Sequence, residues 1–228
     1  MTNLDSKTIA SYIDHTLLKP DTTEQAIERL CFEALTHKFH SVCVNGRWTP
    51  LCKEILGESG VSIAVVVGFP LGASHTSVKC FEAAVAAAGG ATEIDMVLQI
   101  GQLLEGNYKA VEDDIREVVQ AVSGQAIVKV IFETGFLNEE QKITACKLSE
   151  AAGARFVKTS TGFGPGGATV EDIRLMRANV SSAMEVKASG GIRDLETAVR
   201  MIEAGATRLG TSSGVAIVKG LADQDSTY

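Results

Sequence analysis

Short apolar runs alternate with helical stretches from one end of the chain to the other, and this alternation limits the fold more than any other feature. The runs are Tyr12–Thr16, Ser41–Val44, Val61–Val67, Glu93–Val97, Ile127–Phe132, Arg155–Lys158, Met184–Ala188 and Arg208–Gly210. Val61–Val67 is apolar almost throughout, as a strand buried on both faces of a parallel sheet requires. Helices are predicted over Ser6–Ser11, from Pro20–Glu24 to about Lys38, and over Trp48–Leu56, Ser74–Ala88 and Tyr108–Val122. Others follow over Asn138–Ala152, Thr169–Asn179 and Leu195–Ala204, with a last one starting at Ser212 or Ser213. In the second, Thr22, Thr23 and Glu24 supply the hydroxyl and acidic groups of a helix start, and Ile27, Leu30, Cys31, Ala34 and Leu35 mark its inner face.

Gly90-Ala91-Thr92, Gly153-Ala154-Arg155 and Gly205-Ala206-Thr207 each close a helix and open a strand. Glycine is the expected residue just past a helix end. Eight strand–helix units within 228 residues predict an α/β protein, a closed (β/α)₈ barrel forming a single domain over 1–228. An open doubly wound sheet is the weaker alternative, because no G-x-G-x-x-G follows an early strand. The polar tail 220–228 is expected to be mobile and to add little to the core.

Three of the apolar runs carry a lysine directly after a valine: Lys129, Lys158 and Lys187. Lysine is almost never fully buried unless paired or functional. Together with Asp14, Cys43 and Asp95, these residues fall in or near the later halves of strands, the end where barrel enzymes place their active sites. The competing explanation is structural, as rim residues or internal salt bridges. Paired lysines suggest Schiff-base chemistry, which needs an amine neutral near pH 7 against an ordinary pKa of about 10.4. Closing that gap takes roughly 4 kcal/mol. A second ammonium about 5 Å away at an effective dielectric near 20 supplies on the order of 3 kcal/mol. Desolvation supplies the rest, so neither a metal nor a cofactor is called for.

The late glycines suggest an anion site. Gly190-Gly191-Ile192-Arg193-Asp194 and Gly210-Thr211-Ser212-Ser213 each join a late strand to a helix start, and Gly162 opens another glycine-rich turn. Backbone amides at such positions hold phosphate, and barrels often bind one after strands seven and eight.

Composition removes several classes. The net charge of −7 without a basic cluster argues against nucleic acid. No apolar run reaches the roughly 20 residues that span a bilayer. The N-terminus has no signal-peptide pattern, so the protein is expected to be cytoplasmic. Five scattered cysteines, Cys31, Cys43, Cys52, Cys80 and Cys146, are expected to be reduced thiols. His37 and His40 are three apart but belong to no ligand cluster, which disfavours a zinc-dependent activity.

The motifs resemble those of the deoxyribose-phosphate aldolases, a family of class I aldolases. The matching pieces are Tyr12–Pro20, Glu93–Val97, Val128–Gly135, Phe156–Gly164 and Val186–Arg193, which span almost the whole chain. The resemblance implies reversible cleavage of 2-deoxy-D-ribose 5-phosphate to D-glyceraldehyde 3-phosphate and acetaldehyde. It makes Lys158 the Schiff-base lysine, Lys187 the lysine that perturbs it, and Asp95 a proton relay working through water. Asp14, Thr16, Cys43, Lys129 and Thr161 fall at further pocket positions, and Tyr228 at a C-terminal tyrosine that moves a proton at the acetaldehyde carbon in some members. A lysine follows the Schiff-base motif's glycine in the family's best-known bacterial members; here Phe163 stands there, leaving more of the phosphate to Arg193 and backbone amides. A homodimer is a family-level expectation. Two other readings of the residues stay open: a phosphosugar isomerase or epimerase with Asp95 as base, and a phosphosugar-binding barrel without catalysis.

Overall fold

Parity along each strand decides which side chains meet inside the molecule and which meet the helices, because successive residues point to opposite faces. In this computed structural model, which describes residues 6–221, the strands are β1 (Ile13–Leu17), β2 (Ser41–Asn45), β3 (Ser62–Val67), β4 (Glu93–Val97), β5 (Ile127–Ile131), β6 (Phe156–Lys158), β7 (Glu185–Ser189) and β8 (Arg208–Thr211). Each pairs in parallel with the next and β8 pairs with β1, closing the predicted barrel. The outward set includes Ile13, Val42, Val44, Ile63, Val65, Val67, Ile94, Met96, Val128, Val130, Val157, Val186 and Leu209, all in one apolar core beneath the helices. At roughly 1.5–3 kcal/mol per buried aliphatic side chain, this layer provides most of the driving force for folding.

The inward set differs. Leu18, Cys43, Ala64 and Val66, with Phe69 against them, form a small apolar group on one side. Seven further inward positions are charged, Asp14, Glu93, Asp95, Lys129, Lys158, Lys187 and Arg208, all buried. Desolvating such groups costs several kcal/mol each unless they pair. Register sets Asp95 level with Lys129, but it also sets Lys158 level with Lys187 and Lys187 with Arg208, so the cations of β6, β7 and β8 find their carboxylates on β1 and β4.

The helices are α1 (Ser6–Ala10), α2 (Glu24–His37), α3 (Thr49–Leu56), α4 (Thr76–Ala88), α5 (Ile100–Leu104), α6 (Tyr108–Ala121), α7 (Glu139–Ala151), α8 (Val170–Ala178), α9 (Leu195–Glu203) and α10 (Gly214–Val218). Thr23 caps α2, its hydroxyl accepting from the Ala26 amide, while Asn138 and Gln141 form a reciprocal capping box on α7. Gly90, Gly153 and Gly205 have φ of 109°, 86° and 115°, the left-handed backbone expected after a helix end. One α-helix is new relative to the sequence expectation, the five-residue α5 between β4 and α6. Among the described residues no helix is long and apolar enough to cross a membrane.

A second buried charge lies outside the barrel lumen. Lys79 of α4 donates to the Val97 carbonyl at 2.9 Å and to Asp114 of α6 at 2.7 Å. Asp114 also accepts from Thr76 at 2.8 Å and Gln99 at 3.0 Å. The network ties α4 and α6 to the end of β4, the strand that carries Asp95.

Candidate active site

Three lysines share one carboxylate. Lys158, the last residue of β6, donates to Asp95 Oδ2 at 2.8 Å, and Lys187 from mid-β7 donates to the same oxygen at 2.8 Å. Lys129 from β5 donates to Asp95 Oδ1 at 2.6 Å and pairs with Glu93 Oε2 at 2.5 Å. Lys187 also donates to Asp14 Oδ2. Arg208 donates through one nitrogen to Asp14 Oδ1 at 2.9 Å and to both oxygens of Glu93 at 3.2 and 3.0 Å. Its guanidinium lies over the Phe156 ring, 5.1 Å from the centroid.

The lysines respond differently to the same surroundings. Burial pushes Lys158 below the ordinary lysine value; Asp95 opposes this and the Lys187 ammonium reinforces it. Burial also works against the charge on Lys187, but Asp14 and Asp95 outweigh it and push this lysine up. For Lys129, Asp95 and Glu93 overcome burial and the net direction is again upward. Desolvation disfavours the Asp95 carboxylate, yet the three lysines hold it well below the usual range. Glu93 is held at about 2, burial being overcome by Lys129 and by the hydrogen bond from His40. Lys158 is therefore the one lysine of the three driven toward the free amine.

The other expected pocket residues divide into two groups. Cys43 is fully buried with the inward apolar group, and burial pushes its thiol up, so it is a wall rather than a nucleophile. Thr16 is buried two positions above Asp14 and donates to the Asp14 carbonyl at 2.8 Å. The Thr161 hydroxyl is committed to Glu133, and it accepts from the Phe163 amide at 3.0 Å. Thr161 thus shapes the turn after β6. Phe163 meets Phe69 edge to face at 5.4 Å, forming an aromatic contact where a charged side chain was expected in relatives.

The loops after β6 and β7 are stitched together. Ser189 donates through its hydroxyl to the Ser160 carbonyl at 2.6 Å, Thr159 to the Ser189 carbonyl at 2.9 Å, and the Ala168 amide to the Gly190 carbonyl at 2.9 Å. Gly162, Gly190 and Gly191 all have positive φ, and Arg193 is exposed on the loop after β7. The start of α9 is capped by Asp194, which accepts from the Thr197 amide at 2.7 Å. Ser212 is half-buried and lines a cleft of about 290 Å³ with Thr16 and Arg29; the buried Ser213 donates its amide to the Thr211 hydroxyl at 2.9 Å. Gly210, expected to end the last strand and open an anion-binding turn, lies within the strand. It belongs to β8, level with Asp14 and Ser189, and a Cβ there would lie 3.0 Å from the Lys187 Cε and 2.8 Å from the Ser189 Cβ. It keeps open the path of the Lys187 side chain. Tyr228 lies outside the described residues.

Sequence reasoning quoted Glu93, Glu133 and Arg208 inside motifs without giving them roles. A signal existed for two of them: Glu93 shares the inward parity of Asp95, and Arg208 is a charge inside an apolar run, as the lysines are. His40, expected only to lie outside any ligand cluster, bonds Glu93 at 3.2 Å from the N-terminal end of β2.

Comparison with known proteins agrees with this geometry. Residues 8–220 match the family model described as DeoC/LacD family aldolase. Deoxyribose-phosphate aldolase 1 of Oceanobacillus iheyensis is 58% identical over 212 residues, covering 93% of this chain and 96% of that protein. Deoxyribose-phosphate aldolase of Bdellovibrio bacteriovorus is likewise 58% identical over 212 residues, with the same coverage of both chains. Among solved structures, the deoxyribose phosphate aldolase of Aeropyrum pernix, described as a unique tetramer, superposes with a TM-score of 0.88 at 34% identity, covering 94% of this chain and 91% of that one. A lysine-lined (β/α)₈ barrel matched to that family model over nearly its whole length leaves one placement: the chain belongs to the DeoC/LacD family of aldolases.

Proposed function

We propose that the chain is a class I aldolase that reversibly cleaves 2-deoxy-D-ribose 5-phosphate to D-glyceraldehyde 3-phosphate and acetaldehyde, with Lys158 as the Schiff-base amine. The observation that carries this is the contrast among the three lumen lysines, of which only Lys158 is pushed toward neutrality. The neutral amine adds to the C1 aldehyde of the open-chain sugar, and loss of water leaves an iminium. Removing the proton from the C3 hydroxyl lets the C2–C3 bond break; its electron pair flows into the iminium and glyceraldehyde 3-phosphate departs. Protonation of the remaining enamine at C2 and hydrolysis release acetaldehyde and the free lysine. Lys187, held charged between Asp14 and Asp95, keeps a second ammonium beside the amine, and Asp95 orders the water through which protons pass.

The isomerase alternative requires a carboxylate base poised near neutrality. Asp95 is driven the other way, which argues against it as a carbon base. Borohydride with substrate tests the proposal: a reduced adduct mapped to Lys158 is the expected result, and an unlabelled protein that still turns over substrate would end the Schiff-base reading. A binding barrel without catalysis would show neither adduct nor turnover.

For the phosphate, we assign Gly162, Gly190, Gly191, Arg193, Ser212 and Ser213, at the barrel end toward which β6, β7 and β8 run. Arg193→Ala should raise KM for 2-deoxyribose 5-phosphate by about ten- to a hundredfold, the usual range for losing a hydrogen bond to a charged group. The unphosphorylated sugar should be almost unaffected. Equal losses on both sugars would move the phosphate elsewhere.

A further inference from the structure

The barrel interior holds more cations than anions. Asp14 comes from β1, Glu93 and Asp95 from β4, Lys129 from β5, Lys158 from β6, Lys187 from β7 and Arg208 from β8. β2 adds Cys43, whose thiol burial keeps protonated, β3 adds Ala64 and Val66, and His40 reaches Glu93 from the barrel's N-terminal end. Four side chains can carry positive charge against three carboxylates, so one cation lacks a full partner. Arginine does not deprotonate in proteins, which leaves the lysines to lose a proton.

Connectivity selects which one. Arg208 takes one oxygen of Asp14 at 2.9 Å and both of Glu93 at 3.2 and 3.0 Å. Lys187 holds the other oxygen of Asp14 and shares Asp95 Oδ2. Lys129 bridges Glu93 at 2.5 Å and Asp95 at 2.6 Å. Lys158 keeps a single contact, at 2.8 Å, to the oxygen it shares with Lys187. We propose that Arg208 is a positioning residue for the aldolase reaction: by occupying Asp14 and Glu93 at the barrel floor, it leaves Lys158 as the lumen amine with the smallest share of a countercharge, one carboxylate oxygen held in common with Lys187. Arg208 starts β8 and lies over Phe156, two residues before Lys158 on the same strand face, so it acts through its neighbours and not on substrate. The proposal rests on the Schiff-base reading of Lys158.

The test is the pH dependence of borohydride trapping at Lys158 in Arg208→Gln, Glu93→Gln and the double variant. Removing a cation favours the Lys158 ammonium, so Arg208→Gln should move the rising limb of trapping to higher pH. One charge at a distance on the order of 10 Å and an effective dielectric near 20 corresponds to about one pH unit. Trapping below the limb should fall by about tenfold and recover at alkaline pH. Glu93→Gln removes an anion and should move the limb down, while the double variant and Arg208→Lys should return it close to its original position. A purely structural Arg208 would lower the yield at every pH and leave the limb in place. If Arg208→Gln does not fold, Glu93→Gln and Arg208→Lys decide between the same outcomes. An unmoved limb, or single variants shifting in the same direction, overturns the proposal while wild-type trapping leaves the aldolase reading intact. A wild-type protein never trapped at Lys158 overturns both.

Discussion

Lys158→Ala should lose cleavage by about 10⁴- to 10⁶-fold, the scale seen when a covalent nucleophile is removed, and should lose borohydride trapping altogether. No neighbouring amine can take over. Lys187 is bound to Asp14 and Asp95, Lys129 to Glu93 and Asp95, and in each case these carboxylates drive the lysine above its ordinary value. Protonated amines do not add to carbonyls. Charge counting makes a second expectation of the same variant. Without Lys158 the lumen keeps three cations and three carboxylates, so the protein should fold and its thermal midpoint should move little. Circular dichroism melting alongside single-turnover assays would check both. Substantial residual turnover, or a reduced adduct mapped to Lys187 or Lys129, would show that the nucleophile has been misassigned.

The fold was readable because its signals are local. Val61–Val67 and its counterparts are apolar over the length of a strand, and the repeated Gly-Ala pairs mark three of the returns from helix to strand. The lysines stood out by contrast, as charges inside apolar runs. What stayed hidden depends on register or on distant partners. Lys79 looks like any lysine on an alanine-rich helix until Asp114, thirty-five positions away, is brought against it. Glu93 and Arg208 could be suspected of facing inward, but the hydrogen bonds from one Arg208 guanidinium nitrogen to both Glu93 oxygens need β4 and β8 to be set around the same barrel. Gly210 was placed where the last strand meets the phosphate turn, and nothing local shows that its missing side chain makes room for Lys187. The short α5 has too few residues to show a period. Thr161 was grouped with substrate contacts, and its hydroxyl turns out to be taken by Glu133.

Lys187→Leu should be the second most damaging change, and the structure alters the reason. From sequence, the neighbouring ammonium was expected to supply most of the depression of Lys158, with desolvation completing it. Burial is instead the leading cause, and Lys187 adds to it after the opposing effect of Asp95. Removing Lys187 therefore acts twice in the same direction. The like charge disappears, and Asp95 Oδ2, until then shared, becomes the partner of Lys158 alone. Both changes raise the pKa of Lys158, and each unit of rise cuts the free-amine fraction tenfold at any pH below that pKa. At neutral pH the expected loss in turnover is about 10²- to 10³-fold, the scale of losing one like charge about 5 Å away at an effective dielectric near 20. The rate should climb again as pH is raised, because the amine itself is intact. Asp14 also loses the ammonium at its Oδ2 while keeping Arg208, so folding stability should fall by roughly 3–5 kcal/mol or less, the cost of breaking a buried pair. The pH–rate profile separates these effects: instability alone lowers the profile without displacing it. A Lys187→Leu enzyme whose limb stays where the wild type has it, with turnover unchanged, would mean that burial by itself keeps Lys158 reactive and that the second lysine is there for packing.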